Sequence, residues 1–484
     1  MRKKNSPNCP GKAKIGGIEL KVTMSKIRNF AEITPNLPFS EFNFYERFRE
    51  TFETSELGRM KKLLPLHELA ESFGLVSKSM KPKRGRRSYF TPEGKVALMF
   101  LKMKTQMSFP KLMEQLNGNV HYQLFCDIII DPARPLTNYK LLDDIAAEMA
   151  GRLKIQELQR LLADAWKPYM KNLDTMYTDA TCYESEMRYP TDQKLLWECV
   201  EKTYGLMCEV CGRLGIRRPR TKFLDVEKAN LAYRKQRKHT KSQTRKITRR
   251  LLDLLGKILR EIRRIEREHP DAKLFTGKEK QMLDDVTKAY RQQRKHFQSG
   301  DTRESIPNRI VSVSKPYVRP IVRGKESRNV EFGAKCNNIQ VDGLSFIEKL
   351  SFNAFNEGTR LPHCITLHKR LFGVDVKKIG GDTSYAGTGN RDLCKEKEIE
   401  TSFVKRGRPS HEKKEKDFVR QELARVRATA MEGAFGTQKE HYGLRRVKAR
   451  KKDTEILYIF FGIHTANVVQ LAERLKERQE AEAA

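Results

Sequence analysis

The 484-residue sequence predicts an α/β protein in which helices flank a mixed sheet, with an all-α domain before the sheet and a helical hairpin inserted into it. Three observations support this fold class. Apolar residues recur at helical spacing through much of residues 41–170, strand-like alternation begins at Leu173 and returns after Arg309, and a seam of Ile and Leu separates the two groups of strands. The predicted segments are a basic arm at 1–40, the helical domain at 41–170, the α/β domain at 171–211 and 306–484, and the insertion at 212–305.

The N-terminal helices are predicted from apolar spacing and from one capping signal. The spacing predicts helices around Leu63–Phe73, Gly94–Met103 and Ile145–Trp166. A helix is expected to begin at Thr91-Pro92-Glu93, because Thr can cap, Pro fits the first turn and Glu favours the positive helix end. The basic link Lys81–Arg87 favours DNA contact by this domain, and a purely scaffolding or dimerising role is the alternative.

A helical hairpin is predicted within the insertion. Apolar residues at three- and four-residue steps mark its first helix: Ile247, Leu251, Leu254, Leu255, Ile258, Ile262 and Ile265. A second helix passes through Met282, Val286, Ala289 and Tyr290. Lys and Arg fill much of the opposite side, so the pair has one apolar seam and a basic exterior. Phosphate contact and a plain solvated helix pair both fit this pattern.

Strand patterns lie on both sides of the insertion. The run LDTMYTDATCY alternates, and it places Asp179 on the same side as Tyr177 and Thr181. Val341-Asp342-Gly343 is a hairpin-turn signal. Further strands are predicted at Ile310–Val313, Val330–Ile339, Gly343–Ile347, Val374–Ile379 and Thr401–Val404.

Two helices are predicted near the C-terminus. A long helix runs from about Ser410 to His441 and ends before Gly443, and a last amphipathic stretch at about Ala466–Arg478 is expected to pack on the sheet. One face of the long helix carries Gln421, Arg425, Ala428, Glu432, Phe435 and Lys439, opposite an apolar stripe. An acid flanked by cations suits a metal and DNA phosphate together, and an ordinary exposed face of mixed charge fits equally well.

The charge of the chain indicates a polyanionic partner. Its 96 Lys and Arg residues outnumber 61 Asp and Glu residues, which gives a formal net charge of +35. Such an excess repels itself unless a polyanion neutralises it, and nucleic acid is the commonest such partner. A ribosome-associated or merely basic protein is the alternative, because charge does not define the chemistry.

Several other classes are disfavoured by composition. The apolar run at Ile456–Ile463 is far shorter than the roughly 20 residues of a membrane span, and the basic N-terminus lacks the apolar stretch of a signal peptide. Nine irregularly spaced cysteines are expected to be reduced thiols. Cys208 and Cys211 have metal-like spacing, but no second pair lies at zinc-finger distance, so buried thiols are favoured. No Gly-rich loop followed by Lys-Ser/Thr is present, so ATP is not expected.

Three acidic residues are candidates for chemistry. Asp179 lies in the first strand, Asp382 directly follows Gly380-Gly381 at a strand end, and Glu432 lies on the long helix. Acids at strand ends and on a neighbouring helix can converge, and three such side chains can hold two Mg²⁺ ions around one phosphate. Five other carboxylates are set aside because of their positions: Asp174, Glu184, Asp342, Asp375 and Asp392.

Several motifs resemble the signatures of bacterial insertion-sequence DDE transposases. The stretch EGAFGTQKEHYGLRRVKAR, which begins at Glu432, looks like their C-terminal catalytic signature. GGDTSYAGTGN resembles the second-Asp motif, in which the Asp is followed by Tyr and then Asn, here Asp382, Tyr385 and Asn390. MYTDATCYES resembles the first-Asp strand, with Asp179.

The resemblance extends over most of the chain. Arg319–Lys335 resembles the strand-turn-strand that follows the insertion in one branch of this group, and Ser108–Ile128 is similar to the helical N-terminal domain of the same elements. The order and spacing of the motifs carry the resemblance. It implies a ribonuclease-H-like core and dependence on two Mg²⁺ ions, with Mn²⁺ as a substitute.

The same resemblance implies what the protein acts on. Asp179, Asp382 and Glu432 would ligate the metals, and the reaction would be hydrolysis of a phosphodiester followed by transfer of the 3′-hydroxyl to target DNA. The implied partner is double-stranded DNA, at the element ends and the target. Because two ends must be brought together, a homodimer on DNA is expected. The expected location is the prokaryotic cytoplasm at the nucleoid, with no membrane association.

The residues expected to bind DNA are Lys439, Arg425, Arg445, Arg446, Arg406 and Arg408. The last two belong to an Arg-Gly-Arg-Pro stretch that resembles the core of an AT-hook and fits better as a basic loop touching phosphate. A related family pattern places Tyr and Arg where this chain has Arg425 and Ala428. This departure leaves a catalytically inactive DNA-binding protein derived from a transposase as the alternative. A metal-dependent nuclease without strand transfer is a third possibility.

Overall fold

The computed structural model describes residues 14–15, 18–19, 41–76, 88–299, 306–322, 330–404 and 414–483. The chain divides into two compact units, residues 1–50 and 51–484. In the first unit, strands β1 (Lys14–Ile15) and β2 (Ile18–Glu19) pair antiparallel. The remainder of the predicted arm before residue 41, the basic link Lys81–Arg87, and Arg406 with Arg408 lie outside the described residues.

The described residues between 41 and 166 are mostly helical, as predicted for residues 41–170. Its helices are α1 (Glu41–Thr54), α2 (Glu56–Leu63), α3 (Leu66–Ser72), α4 (Pro92–Thr105), α5 (Phe109–Gly118), α6 (Val120–Phe125), α7 (Lys140–Ala150) and α8 (Ile155–Trp166). The predicted start at Thr91 is confirmed, since its hydroxyl accepts a hydrogen bond from the Gly94 N–H at 2.9 Å and Pro92 occupies the first turn. The single run predicted over Ile145–Trp166 is instead two helices, because the chain leaves helical geometry after Gly151.

A mixed sheet follows these helices. Its central strand β3 (Thr175–Ser185) pairs antiparallel with β5 (Val330–Val341) and parallel with β7 (Lys378–Gly381). Beyond β5 lie β4 (Pro320–Val322) and β6 (Leu344–Ser351), and beyond β7 lies β8 (Glu400–Thr401). The predicted hairpin turn is confirmed, since Asp342 and Gly343 both have positive φ, at 48° and 81°, as a two-residue type I′ turn requires.

Three strand predictions need correction. Residues 310–313 are not a strand, β7 begins at Lys378 rather than at Val374, and β8 is Glu400–Thr401 rather than Thr401–Val404. All four residues of the first segment are buried, and Val311 packs in the main core while Ile310 and Val313 pack in the core of the insertion. The segment is apolar because it lies between two cores, so its composition resembles that of a buried strand.

The insertion has a hydrophobic core of its own. It comprises α9 (Asp192–Leu214), α10 (Phe223–Lys235), α11 (Lys241–Glu268) and α12 (Gly277–Ser299). All seven residues of the predicted apolar seam on α11 are buried in this core. The predicted boundary between residues 211 and 212 falls inside α9, whose buried side chains belong to the same core. The helical insertion therefore begins near residue 192.

The C-terminal segment returns to the main core. After α13 (Leu361–Phe372) and α14 (Thr388–Glu396), the chain forms α15 (Lys414–Val426), a π-helical turn (Arg427–Met431), α16 (Glu432–His441), β9 (Arg446–Val447) and α17 (Lys452–Ala483). Gly443 has a φ of 70°, as expected just after a helix end. Helix α17 begins well before the predicted Ala466, and it packs against α2, α4, α7 and β6.

Helix α17 is long and apolar enough to cross a membrane by length and composition alone. Its most apolar window is 78% buried inside the protein, however. Phe461 illustrates this burial, because its ring lies 4.9 Å from that of Phe100 and 6.2 Å from that of Phe73. The apolar surface of the helix is thus mostly covered by the core of the protein.

Candidate active site

Asp179 and Asp382 lie on neighbouring parallel strands. The register pairs Thr178 with Gly381, so the two aspartates are the next residues along their strands. Adjacent strands are about 4.8 Å apart, and the two carboxyl groups therefore start from neighbouring backbone positions. The sequence placed each acid at a strand but not the strands side by side, and the parallel pairing of β3 with β7 brings them together.

Glycine allows a helix to approach this edge of the sheet. A Cβ atom on Gly380 would lie 2.4 Å from the Tyr177 ring and 3.1 Å from the carbonyl oxygen of Leu423. Any side chain at this position would collide with both neighbours. The absence of a side chain therefore lets α15 lie directly on β7, and the π turn that follows α15 packs against β3.

The Asp179 carboxylate is partly withdrawn from water. One oxygen accepts a hydrogen bond from the Ala180 N–H at 2.7 Å, and the other receives the Arg427 guanidinium at 2.9 Å. Burial is the largest influence and raises the pKa of Asp179; the nearby charges of Asp382 and Glu357 also raise it, whereas the Ala180 N–H and Arg427 lower it. Ionisation of Asp179 therefore requires more free energy in the folded protein than it does in water.

The π turn delivers Arg427 to Asp179. A π turn widens the helix by one residue, and such turns occur frequently at functional sites. The helical projection that predicted Arg425 at the site assumed a regular α-helix. In the structure Arg425 is exposed, and Arg427 makes the contact instead. Sequence reasoning missed Arg427 because no local signal marked the extra residue in this turn.

Asp382 caps a short 3₁₀ turn at Thr383–Tyr385. Its side chain accepts a hydrogen bond from the Thr383 N–H at 2.6 Å. The other residues of its motif support the loop. The Tyr385 hydroxyl donates to the Asn337 side chain, and the Asn390 amide donates to the backbone carbonyls of Tyr385 and Gly358 at 2.8 and 2.6 Å. These two residues therefore support the loop that carries Asp382.

Glu432 is the first residue of α16, directly after the π turn, and it is exposed. Among the described residues no three His, Cys, Asp or Glu side chains are grouped so that they could hold a metal ion. The structure therefore brings Asp179 and Asp382 together but does not gather Glu432 with them. Glu357, whose charge acts on Asp179, is instead engaged by Lys335 at 2.8 Å.

The donor chemistry at this point fits a hard divalent cation. Asp179 and Asp382 offer carboxylate oxygens, the ligands that Mg²⁺ prefers. The guanidinium of Arg427 places a positive charge beside one Asp179 oxygen, at 2.9 Å. A metal ion there would take over the charge compensation that Arg427 provides.

A basic pocket lies near the C-terminal end of α16. It has a volume of about 310 Å³, and its lining includes Lys102, Lys439, Arg445, Arg446 and Lys448. Three of these five cations are among the residues predicted to bind DNA. Two acids, Glu186 and Glu440, also line the pocket, and Glu440 pairs with Arg445 at 3.2 Å.

Lys102 comes to this pocket from the N-terminal helices. Its ammonium lies over the rings of Phe109 and Tyr458, at 5.6 and 5.9 Å from their centroids. Burial, and to a lesser degree the charge of Lys448, lowers the pKa of Lys102 to about 8. A lysine held in this state gains much from an anion, because the anion restores the charge compensation that water no longer gives.

Comparison with known proteins gives one match. Residues 45–142 match the family model described as a transposase domain (DUF772). No curated protein and no solved structure matches the chain. The matched segment includes α4, and therefore Lys102 of the basic pocket. Over residues 45–142 this chain is thus similar to the DUF772 transposase domain, which supports a transposase.

Proposed function

We propose that the protein is a DDE transposase, in which Asp179, Asp382 and Glu432 bind two Mg²⁺ ions and cleave and join DNA at the ends of an insertion sequence. The adjacent placement of Asp179 and Asp382 on parallel strands, in a chain with a transposase domain, is the observation that carries this proposal. The sheet order β6-β5-β3-β7-β8, antiparallel on one side of β3 and parallel on the other, is compatible with a ribonuclease-H-like core.

The residues of the site have separate roles in this proposal. Bound Mg²⁺ or Mn²⁺ supplies a Lewis acid that activates water or a 3′-hydroxyl and stabilises the leaving oxygen. In the free protein Arg427 compensates the charge of Asp179. Tyr385 and Asn390 hold the loop that carries Asp382. Burial raises the pKa of Asp179, so a bound cation would stabilise its charged form in place of the water that burial excludes.

Glu432 has to approach the aspartates for the site to be complete. The π turn directly precedes it, and this turn packs against β3 near Asp179. A change from π to α geometry over Arg427–Met431 would rotate the residues that follow by about one residue step, roughly 100°. The same change would move Arg427 relative to Asp179. Both consequences favour a change in this turn as the movement that brings Glu432 to the two aspartates.

The basic pocket supplies the DNA contact near the site. Lys439, Arg445 and Arg446 would bind the phosphate backbone together with Lys102 and Lys448, since phosphate contacts from Lys and Arg position a protein on DNA. Arg425, Arg406 and Arg408 remain proposed contacts. The proposal also includes two copies of the chain on paired DNA ends, in the prokaryotic cytoplasm at the nucleoid.

One structural observation favours a second function. Arg427 neutralises Asp179, and Glu432 is exposed rather than grouped with the aspartates. A transposase-derived protein that binds DNA without cleaving it would show this arrangement permanently.

A cleavage assay separates these functions. The full chain is incubated with duplex DNA carrying its element ends, with and without Mg²⁺. The transposase proposal predicts Mg²⁺-dependent nicking and joined products, both abolished by Asp179→Asn, Asp382→Asn or Glu432→Gln with DNA binding retained. Asp392→Asn, at an exposed acid on α14, is the matched control and should leave both reactions intact. Binding without any cleavage by the unaltered protein would favour the non-catalytic function, and cleavage without joining would indicate a nuclease.

A further inference from the structure

A second basic surface lies on the helical insertion. The groove between α11 and α12 has a volume of about 430 Å³, and five cations line it: Arg260, Arg263, Arg291, Arg294 and Lys295. No carboxylate is among its lining residues. The groove belongs to the insertion, whose core is separate from the main core around the central sheet.

None of the acidic residues of the two helices lines this groove. On α11, Glu261 and Glu268 both pair with Arg264, which does not line the groove, at 3.0 and 3.6 Å. On α12 the three acids lie in the first half of the helix, and Glu279 is held by Arg213 at 2.7 Å. Within the described parts of the chain, no ion pair involves the four arginines of the groove. They stand close together without a counter-charge, which is unfavourable unless a polyanion binds.

One arginine of the groove is positioned by its neighbours. Gly256 is buried on α11, and a Cβ atom there would lie 2.5 Å from the Tyr290 hydroxyl. Glycine inside a helix costs about 1 kcal/mol relative to alanine, so its presence needs a structural reason. Here it lets Tyr290 lie against α11, where the hydroxyl accepts a hydrogen bond from Arg294 at 3.0 Å. The groove is therefore built by packing, and it is more than a chance meeting of surface charges.

The chemistry of the groove indicates phosphate. Arginine presents a fork of N–H donors that matches phosphate oxygens, and here arginines from two antiparallel helices face one channel. The lining is too polar and too highly charged for an apolar peptide. A chain of phosphates would contact both helices at once, whereas an isolated anion would satisfy only part of the charge.

We propose that the groove between α11 and α12 binds the phosphate backbone of duplex DNA, as a site separate from the acids at Asp179 and Asp382. This inference rests on the proposed function for the identity of the polyanion. It assigns the insertion a role as a clamp that increases affinity without reading sequence, because backbone contacts carry no direct sequence information.

Salt-dependent binding tests the groove directly. In the groove variant, Arg260, Arg263, Arg291 and Arg294 are each replaced by Gln. The control variant replaces Lys241, Lys246, Lys278 and Lys280 by Gln, which removes the same charge from the same two helices outside the groove. Binding of the full chain to a fluorescent duplex is measured over a range of salt concentrations, with thermal melting to confirm that both variants fold.

The groove variant should lose at least about tenfold in affinity at 0.15 M salt, and the magnitude of its log–log salt slope should fall by about 3.6 if each of the four arginines neutralises one phosphate, since each neutralised phosphate contributes roughly 0.9. The control should change the slope by less than about 1. Equal losses in the two variants, or no binding of the duplex by the unaltered protein, would overturn the inference.

A variant that leaves the net charge unchanged tests whether Tyr290 positions Arg294 to bind phosphate. Tyr290→Phe keeps every cation but deletes the hydroxyl that accepts from Arg294. It should weaken duplex binding about two- to fivefold if Arg294 contacts phosphate, in the range of one lost hydrogen bond. No change in affinity for Tyr290→Phe would contradict a built site. None of these measurements depends on DNA cleavage. If the groove binds DNA but the protein never cleaves it, the proposed transposase activity is contradicted, whereas the proposed DNA-binding role of the groove is retained.

Discussion

At the scale of single residues, the site is marked by charges held in unfavourable surroundings. Burial raises the pKa of Asp179, and burial lowers the pKa of Lys102 to about 8. Each group is thus less stable in its charged form than it would be in water. Groups with perturbed pKa values cluster at functional sites, because a ligand can supply the compensation that the fold withholds.

Asp179 should therefore lower the stability of the protein at neutral pH. An acid whose folded-state pKa is raised contributes stability below its unfolded-state pKa of about 3.9, and this contribution is lost as the pH rises through the folded-state value. Asp179→Asn should accordingly melt higher than the unaltered protein at pH 7.5, and the difference should shrink toward pH 4.5. Differential scanning fluorimetry measures it, with Asp392→Asn as the control for loss of one negative charge. A variant that melts lower at pH 7.5 would show that the pairing with Arg427 outweighs burial.

Lys102 should make DNA binding depend on pH. With a pKa of about 8 it is mostly charged at pH 7 and mostly neutral at pH 9 in the free protein, whereas bound phosphate would favour its charged form. Affinity for duplex DNA should fall about five- to tenfold between pH 7 and pH 9, the change expected when one required proton is lost. Lys102→Arg should remove this dependence, because arginine stays charged. If Lys102→Arg and the unaltered protein show the same pH profile, Lys102 does not contact the backbone.

At the scale of elements, a buried carboxylate joins the C-terminal helix to the sheet and to the segment that follows the insertion. Glu455, on α17, is fully buried and accepts hydrogen bonds from Ser185 at the end of β3, from Lys315 at 3.0 Å and from Tyr317 at 2.7 Å. It thus fastens three separate segments at one point. Local sequence patterns gave no sign of this network, because its members are distant along the chain.

Breaking the ion pair of Glu455 with Lys315 from one side should be costly. Glu455→Gln leaves the Lys315 ammonium buried without a counter-charge, and such a loss destabilises proteins by about 3–5 kcal/mol. The double change Glu455→Gln with Lys315→Met should cost less than the sum of the two single changes, because no unpaired charge remains. Urea unfolding of the four proteins measures the coupling. Additive effects would mean that the pair is not desolvated in solution.

The sequence correctly predicted those elements whose geometry is set by residues close together along the chain. The cap at Thr91, the turn at Asp342-Gly343, the central strand around Asp179 and the helix end before Gly443 are all confirmed. In each case the residues that set the geometry are neighbours in sequence. The strand predicted at Ile310–Val313 was wrong because this apolar segment is buried between two different cores, which no local pattern can reveal.

The candidate site was predictable only in part for a related reason. Asp179 and Asp382 were identified by their positions at strands, and the parallel pairing then made them neighbours. Arg427 was missed because one extra residue in the π turn changes which side chains face the sheet. The position of Glu432 depends on the geometry of the same turn, which directly precedes it. Its role as a metal ligand therefore stays a prediction.

At the scale of the whole molecule, the transposase domain and the sheet share one hydrophobic core. Buried residues from Phe52 to Ala472 form a single cluster that includes the N-terminal helices, the strands and α17. The Trp166 indole, for example, donates to the carbonyl of Leu63 at 2.9 Å and lies against Phe346 of β6. Lys102 therefore has a fixed position relative to Lys439, and a phosphate in the basic pocket would contact two segments far apart in sequence.

The central claim is that Asp179, Asp382 and Glu432 together bind divalent cations. Titration of the full chain with Mn²⁺ in the presence of end DNA, followed by electron paramagnetic resonance, counts bound ions without requiring turnover. The account predicts two ions per chain, with at least one lost in each of Asp179→Asn, Asp382→Asn and Glu432→Gln and none lost in Asp392→Asn. Unchanged Mn²⁺ binding in the three site variants, or no binding by the unaltered protein, would contradict it.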